Sequence, residues 1–403
     1  MNVFLHTFGC RANQYDTEVV RQAFVDQGAT IVATPESADI AVVNSCTVTE
    51  ESEAKMRRYI RRLARAGRAN LATVVMGCAA ALDDGTIARL PSVTRVLPGA
   101  DPASVLDAAG LDGARVSPVL RRFTTHARAW LKIQDGCDEH CTFCATTLAR
   151  GANRSRPVAD LIAEARALAE HHAEIVLTGV HIGTYGKDWD GRSIGALVEA
   201  LVDAVPSVRF RLSSIEATEV DDRLAALMIE APRQLAPHVH APLQSGSDRV
   251  LRRMGRNWYT AGSYRARIEW LADRVPVFGL GADIIAGFPG ETEEDHHATI
   301  ELVRTLPFTY LHVFPFSARP DAAATRLGDA LAPAVVHRRA AELRELGETR
   351  ARAYRVSQRG RRADAVAGGH GGGCVEALTE DYLSVQLPLD AWSGELRFPV
   401  TIT

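Results

Sequence analysis

The chain has 403 residues, 46% of them apolar, enough for two or three domains with cores of their own. Lys and Arg number 46 against 49 Asp and Glu, a net charge of -3, so no global field marks a polyanion binder and any phosphate contact has to be local. The longest apolar stretches, such as 73–82, fall short of the roughly 20 residues of a membrane helix, and Met1 leads into Val3-Phe4-Leu5 without a basic head, so the expectation is a cytoplasmic protein with no membrane partner and reduced cysteines.

In chain order, short apolar runs at 3–8, 30–33, 40–44, 72–76 and 93–97 alternate with helix-like stretches at 13–26 and 49–65. That rhythm predicts a small parallel sheet of about five strands. Cys10, Cys46 and Cys78 each follow one of these runs. Strands of a parallel sheet point the same way, so three cysteines far apart in sequence converge on the edge where such sheets bind ligands. Three small buried apolar residues are the plainer alternative. Their equivalent placement at strand ends favours a shared cluster. This unit is expected over 1–119, ending at Pro118 and the basic Arg121-Arg122.

Strand-like runs follow at 129–134, 174–177, 208–212, 238–243, 277–285 and 309–314, with helix-like stretches at 158–170, 193–204, 221–229, 260–273 and 293–305. Six strand-helix units predict a partial parallel barrel within 123–353, its site at the carboxyl ends of the strands. The loop after the first strand carries Cys137, Cys141 and Cys144 as C-x3-C-x2-C. An iron-sulfur cubane is normally held by four thiolates, so three from one loop leave one iron open to a ligand. Zinc is the alternative, with His140 inside the loop, but it favours C-x2-C pairs or a Cys/His foursome. The pairs His171-His172 and His296-His297 sit in polar helix-like stretches and are read as surface histidines. No phosphate loop or dinucleotide fingerprint is present.

A helical stretch at 333–357 leads through a Gly-rich turn to apolar segments at 374–377, 382–386 and 395–400, a small all-β tail expected over 354–403. Two stretches are basic. Lys55, Arg57, Arg58, Arg61, Arg62 and Arg65 crowd one helix, with Arg68 behind them, and Arg338, Arg339, Arg350, Arg352, Arg355, Arg359, Arg361 and Arg362 lead into the tail. Such density is a footprint for RNA phosphate, although a solvated helix face is the usual fate of a charge run.

The cysteine loop, with Phe143 before its last cysteine, resembles the radical S-adenosylmethionine (SAM) enzymes. Gly9-Cys10-Arg11-Ala12-Asn13-Gln14, Asn44-Ser45-Cys46-Thr47-Val48-Thr49 and Met76-Gly77-Cys78 extend the resemblance to the methylthiotransferases. Arg154-Ser155-Arg156-Pro157, Arg211-Leu212-Ser213-Ser214-Ile215-Glu216, Pro242-Leu243-Gln244-Ser245-Gly246 and Gly287-Phe288-Pro289-Gly290-Glu291 carry it over nearly the whole chain. The resemblance implies an α/β protein of three parts: an N-terminal methylthiotransferase domain, a partial (β/α)6 radical SAM barrel and a C-terminal TRAM-like β-barrel. It implies two 4Fe-4S clusters, one on Cys137, Cys141 and Cys144 and an auxiliary one on Cys10, Cys46 and Cys78. Phe143 would pack on the SAM adenine, Gly179 would allow close approach of the methionyl group, and Ser214, Glu216 and Gln244 would supply polar contacts. Reductive cleavage of SAM would give a 5'-deoxyadenosyl radical, and the substrate would take a methylthio group from the auxiliary site. An electron donor such as flavodoxin or ferredoxin and a sulfur source are implied as partners.

Within the family, the segments around Cys10 and Cys46 look most like the branch that converts N6-threonylcarbamoyladenosine at tRNA position 37, in the anticodon loop, to its 2-methylthio form. Action on N6-isopentenyladenosine or on a ribosomal-protein aspartate is the alternative within the family. A non-catalytic metal-containing RNA-binding protein is the alternative of another class. Thr147 departs from the family pattern, which has proline there.

Overall fold

The computed structural model describes residues 1–47, 49–66, 71–124, 127–189, 191–319 and 322–403, so Val48 and Arg68 lie outside the described residues. The chain divides into two compact units. The first comprises 1–124 with 135–139 and 144–154; the second comprises 125–134, 140–143 and 155–403.

In the first unit, β1 (Asn2–Thr7), β2 (Thr30–Ile31), β3 (Ile40–Ser45), β4 (Ala72–Gly77) and β5 (Val93–Pro98) form one sheet in the order β2-β1-β3-β4-β5. Every pairing is parallel. Period-2 alternation splits its strands between two faces. Ala41, Val43 and Val75 pack with Met56, Ile60 and Leu63 of helix α2 (Glu50–Ala66). Val3, Val42, Val74 and Met76 pack with Val20 and Phe24 of α1 (Arg11–Asp26). With both faces covered, β3 is buried along its whole length, as central parallel strands are.

The second unit holds six parallel strands that neighbour one another in chain order: β6 (Arg128–Lys132), β7 (Glu174–Thr178), β8 (Arg209–Leu212), β9 (His238–His240), β10 (Gly279–Ala286) and β11 (Tyr310–Pro315). Bridges Phe210 to Leu235 and Ser214 to His240 join the two halves of this row. Between the strands run α3 (Val158–Ala169), α4 (Ile194–Ala204), α5 (Asp222–Glu230), α6 (Ala261–Ala272) and α7 (Glu293–Thr305), and α8 (Pro333–Ser357) follows β11. This is the partial (β/α)6 barrel that the alternation predicts. The run expected to continue to residue 243 pairs regularly only as far as His240. Gln244, at φ +60, then bridges β10, its N–H donating to Asp283 O and its C=O accepting from Ile285 N.

The tail is a curled antiparallel sheet of β12 (Arg362–Gly371), β13 (Cys374–Thr379), β14 (Ser384–Pro388) and β15 (Arg397–Thr401), in the order β14-β13-β12-β15. The stretch read as a Gly-rich turn is mostly strand. Only Gly372 and Gly373 take positive φ, and an irregularity between Ala367 and His370 accommodates the other glycines. Tyr382, read as the start of the apolar segment 382–386 and by family resemblance as part of a turn at 378–382, sits in the turn before β14 at φ +71.

Two further expectations fail. His172 and His296 are buried rather than superficial, and His296 bonds Glu342 at 2.7 Å. Helix α7 is polar enough to look exposed, but α8 covers it, and the sequence of one helix does not show what packs on it. The second basic stretch is likewise largely committed to structure. Arg339 is buried against Glu291 and Glu293, Arg338 pairs with Glu293 and Glu342, and Arg361 pairs with Glu380 and Asp381.

Candidate active site

In the first unit, Cys10 caps the start of α1 after β1, Cys46 follows β3, and Cys78 opens a short helix directly after β4. The register of the parallel sheet thus puts the three at one edge, as expected. Cys46 and Cys78 are buried and Cys10 is exposed, all three as free thiols. Asn13 ties the edge together. Its amide donates to Asn44 Oδ1 at 3.0 Å and Ser45 O at 2.8 Å, while its Oδ1 accepts from the Cys10 thiol at 3.5 Å. Two glycines make room. A Cβ at Gly9 would stand 3.0 Å from Cys46 Cβ, and one at Gly77 would stand 2.2 Å from Asn44 Oδ1, and both glycines take positive φ.

Arg150 completes this edge. It closes the short helix Thr146–Arg150, and its buried guanidinium donates to Cys78 Sγ at 3.1 Å, Asn13 Oδ1 at 2.9 Å, Asp16 at 3.0 Å and Asp135 at 2.9 Å. Burial pushes the Cys78 thiol up, and the Arg150 charge opposes that push. The arginine itself costs desolvation, but Asp16 and Asp135 more than offset it and hold its charge. In the sequence Asn13 and the Arg150-Gly151 pair stand out only as parts of motifs of the family resemblance, and nothing marks either as a partner of a thiol. A long-range partner of a thiol leaves no local signal.

The loop that carries Cys137, Cys141 and Cys144 aims N–H groups at sulfur. Glu139 N–H points at Cys137 Sγ at 3.4 Å and Thr146 N–H at Cys144 Sγ at 3.3 Å. The Cys137 N–H donates to Gly151 O at 3.0 Å, and Gly136, at φ +72, passes so close that a Cβ would overlap Ala152 O. Thr147 stands second in the short helix, where no intrahelical N–H bond is required, so the position suits a threonine and the proline of the family pattern alike. Donors aimed at thiols suit sulfurs that carry thiolate charge. With three free cysteines in each set, the donor chemistry fits iron-sulfur clusters at both places.

In the second unit, Arg256 donates to Cys141 Sγ at 3.6 Å and to Tyr259 Oη at 3.0 Å, and it pairs with Glu216 Oε1. The other carboxylate oxygen, Glu216 Oε2, is buried without a hydrogen-bond partner among the described residues. Burial raises the Glu216 carboxyl against the pull of Arg256. Phe143 packs with Val250, Met254 and Phe288. Gly179 has a packing reason of its own, since a Cβ there would stand 2.8 Å from both Gln134 O and Gln134 Oε1. Ser214 is exposed and Gln244 nearly buried, and both follow strand ends. Arg256 is invisible to motif reading because it follows the Gln244 motif by twelve positions, outside any recognisable spacing.

On α2, Met56, Ile60 and Leu63 face the core and the cations face out. Lys55 pairs with Glu51 at 2.7 Å, Arg57 with Glu53 at 3.5 Å, and Arg62 lies over the Tyr59 ring. Arg58, Arg61 and Arg65 are exposed with no ion pair among the described residues.

A partial barrel of six parallel strands whose first is followed by a three-cysteine loop defines a radical SAM protein. Residues 131–303 match the model of the Radical SAM superfamily, and residues 2–99 match a family described as "Uncharacterized protein family UPF0004". A solved structure of the radical SAM methyltransferase TsrM from Kitasatospora setae shares the fold, with a TM-score of 0.59 at 13% identity over 78% of this chain and 74% of that one. The chain is 35% identical to the threonylcarbamoyladenosine tRNA methylthiotransferase MtaB of Bacillus subtilis (strain 168), covering 87% of this chain and 81% of that protein. It is 31% identical to the protein of the same name from Aquifex aeolicus (strain VF5), over 96% of each. The chain belongs to the radical SAM methylthiotransferase family. It is an enzyme of that class, whose cofactors are 4Fe-4S clusters and SAM. Among the described residues, no helix is long and apolar enough to cross a membrane.

Proposed function

We propose that this enzyme converts N6-threonylcarbamoyladenosine at position 37 of the tRNA anticodon loop to its 2-methylthio form. The observation that carries this reading is that relatives 35% and 31% identical over most of both chains bear that activity in their names. In this reading Cys137, Cys141 and Cys144 hold one cluster and Cys10, Cys46 and Cys78 the auxiliary one. When bound, the clusters supply the electron that cleaves SAM and the sulfur that is transferred, chemistry that acid-base side chains cannot provide.

The chain's own residues bind and position. The N–H groups on Cys137 and Cys144, with Arg256 on Cys141 and Arg150 on Cys78, stabilise charged sulfur. Glu216 Oε2, buried and without a partner among the described residues, is an acceptor left for a donor of SAM, since an orphan carboxylate oxygen is costly without one. Phe143, Gly179, Ser214 and Gln244 complete the proposed SAM contacts. The free cations of α2, Arg58, Arg61 and Arg65, supply phosphate contacts with Lys55, Arg57 and Arg62 beside them. The domains follow as 1–119, 123–353 and 354–403, the last a TRAM-like RNA module. A flavodoxin- or ferredoxin-type electron donor, a sulfur source and a cytoplasmic setting belong to the same reading.

Mass spectrometry of tRNA nucleosides from cells with and without the gene tests it, with complementation by wild type and by Cys137→Ala. The 2-methylthio-N6-threonylcarbamoyladenosine is expected to vanish on deletion and to return only with wild type. Loss of the methylthio group from the isopentenyl nucleoside would move the enzyme to that branch. An unchanged nucleoside profile would overturn the tRNA reading.

A further inference from the structure

We propose that His312 and Phe314, on the last barrel strand, form the platform that receives the purine ring of the target nucleotide. The proposal rests on the reading that the substrate is an adenosine in RNA. Residues of β11 alternate between two faces. The Leu311 side chain lies against Gly347 of α8 and Val313 is buried while His312 and Phe314 are exposed, so the odd positions face the covering helix. Tyr310, His312 and Phe314 therefore face the concave side, together with His240 of β9 and Asp283 of β10.

On that side a file of rings climbs the strand toward its carboxyl end. Tyr382 of the tail stacks on Tyr310 at 5.1 Å, Tyr310 meets His312 at 5.4 Å, and His312 meets Phe314 at 6.5 Å with 79° between their planes. The lower rings are largely covered, but the His312 side chain is 54% exposed and Phe314 is 41% exposed. Two exposed rings nearly at right angles make a corner, with one face to stack on and another to close an edge. Scattered surface phenylalanines need no explanation, but this pair stands at the carboxyl end of a barrel strand, where such folds place their substrates. Two residues further on, Phe316 enters the same apolar cluster as Phe143 of the cysteine loop.

The imidazole is held in one orientation. Asp283 Oδ1 accepts from His240 Nε2 at 3.0 Å and from His312 Nδ1 at 3.2 Å. Tyr310 Oη, shared by His238 and His240, fixes the other side of His240. An ionised carboxylate only accepts, so the His312 Nδ1–H is spent on Asp283 and Nε2 is turned away from it, free to hydrogen-bond a base. A stacking ring, a second ring at its edge and one oriented ring nitrogen match an unstacked base, the form in which proteins read single-stranded RNA.

The test uses enzyme with both clusters reconstituted and an anticodon stem-loop carrying 2-aminopurine at the target position, whose fluorescence reports stacking. Wild type is expected to quench it. Phe314→Leu, which keeps apolar bulk without a π face, and His312→Ala are expected to lose the quenching. Each is also expected to raise the KM for substrate RNA by about tenfold or more, while Phe314→Tyr keeps both properties. Asp283→Asn, which frees the imidazole, should weaken quenching while His312 remains. Wild-type quenching and KM in both His312→Ala and Phe314→Leu would overturn the platform alone. Failure of the wild-type enzyme to bind the stem-loop would overturn the platform together with the substrate reading.

Discussion

Arg150 Nε donates a hydrogen bond to Cys78 Sγ at 3.1 Å, across 72 positions of sequence. The same guanidinium neutralises the buried Asp16 and the half-buried Asp135 of the first unit. Arg150→Met leaves both carboxylates without their cation and is expected to cost about 3–5 kcal/mol of stability, the usual penalty for breaking a buried pair. It is also expected to lower the iron bound at the auxiliary site. Urea unfolding and iron analysis check both, with Arg150→Lys recovering part of each. Full iron content in Arg150→Met would show that the arginine serves the fold alone.

Gly77 immediately precedes Cys78 at φ +94, with no space for a Cβ beside Asn44 and the backbone of Ser45. Gly77→Ala is expected to destabilise by more than about 1 kcal/mol, since both the backbone angle and the clash oppose it. Because the obstruction is partly backbone, the strand end has to shift, and reconstitution of the auxiliary cluster should fall with stability. Gly28→Ala, also at positive φ but in open space, is the control and should retain full cluster content.

Stability is expected to decline below about pH 6.5 through His6. Burial, helped by the nearby Arg62 charge, lowers the His6 pKa below its ordinary value. As pH falls, the unfolded chain takes up its proton first, near pH 6.5, so stability is lost from there downward and is unaffected by this group at higher pH. His6 stacks on Tyr59 at 4.0 Å, and Arg62 already lies over that tyrosine ring, so a second cation there is disfavoured. Urea midpoints between pH 7.5 and 5.5 should fall more steeply for wild type than for His6→Gln. Parallel curves would exclude His6 as the source.

Replacing Arg58, Arg61 and Arg65 together by Ala is expected to weaken tRNA binding and to reduce the dependence of log K on log salt by about 2–3, near one unit for each phosphate that is no longer neutralised. Their exposed faces carry no packing, so thermal stability should hold. An unchanged salt slope would return α2 to the ordinary role of a solvated helix face.

Apolar periodicity made most of the architecture legible, because buried parallel strands and the helices that cover them write their faces into the chain. Where it misled, a second surface was involved. Helix α7 looks exposed because the chain does not say that α8 covers His296. The basic stretch at 338–362 looks like an RNA patch because its carboxylate partners, such as Glu291 and Asp381, lie elsewhere in sequence. The glycines at 368–373 read as a turn because glycine marks flexibility, while the pairing of β12 with β13 is set by the ladder itself.

The sequence by itself determined the two cysteine sets, their strand-end placement and the radical SAM class, since spacing within a loop and strand order need no knowledge of distant partners. Tertiary structure alone decided which side chains serve them: Arg150 on Cys78, Arg256 between Cys141 and Glu216, and His312 held by Asp283 on a neighbouring strand. A thiol, a carboxylate or an imidazole acquires its working state from the charges and burial around it. Those arise only when segments remote in the chain fold against one another.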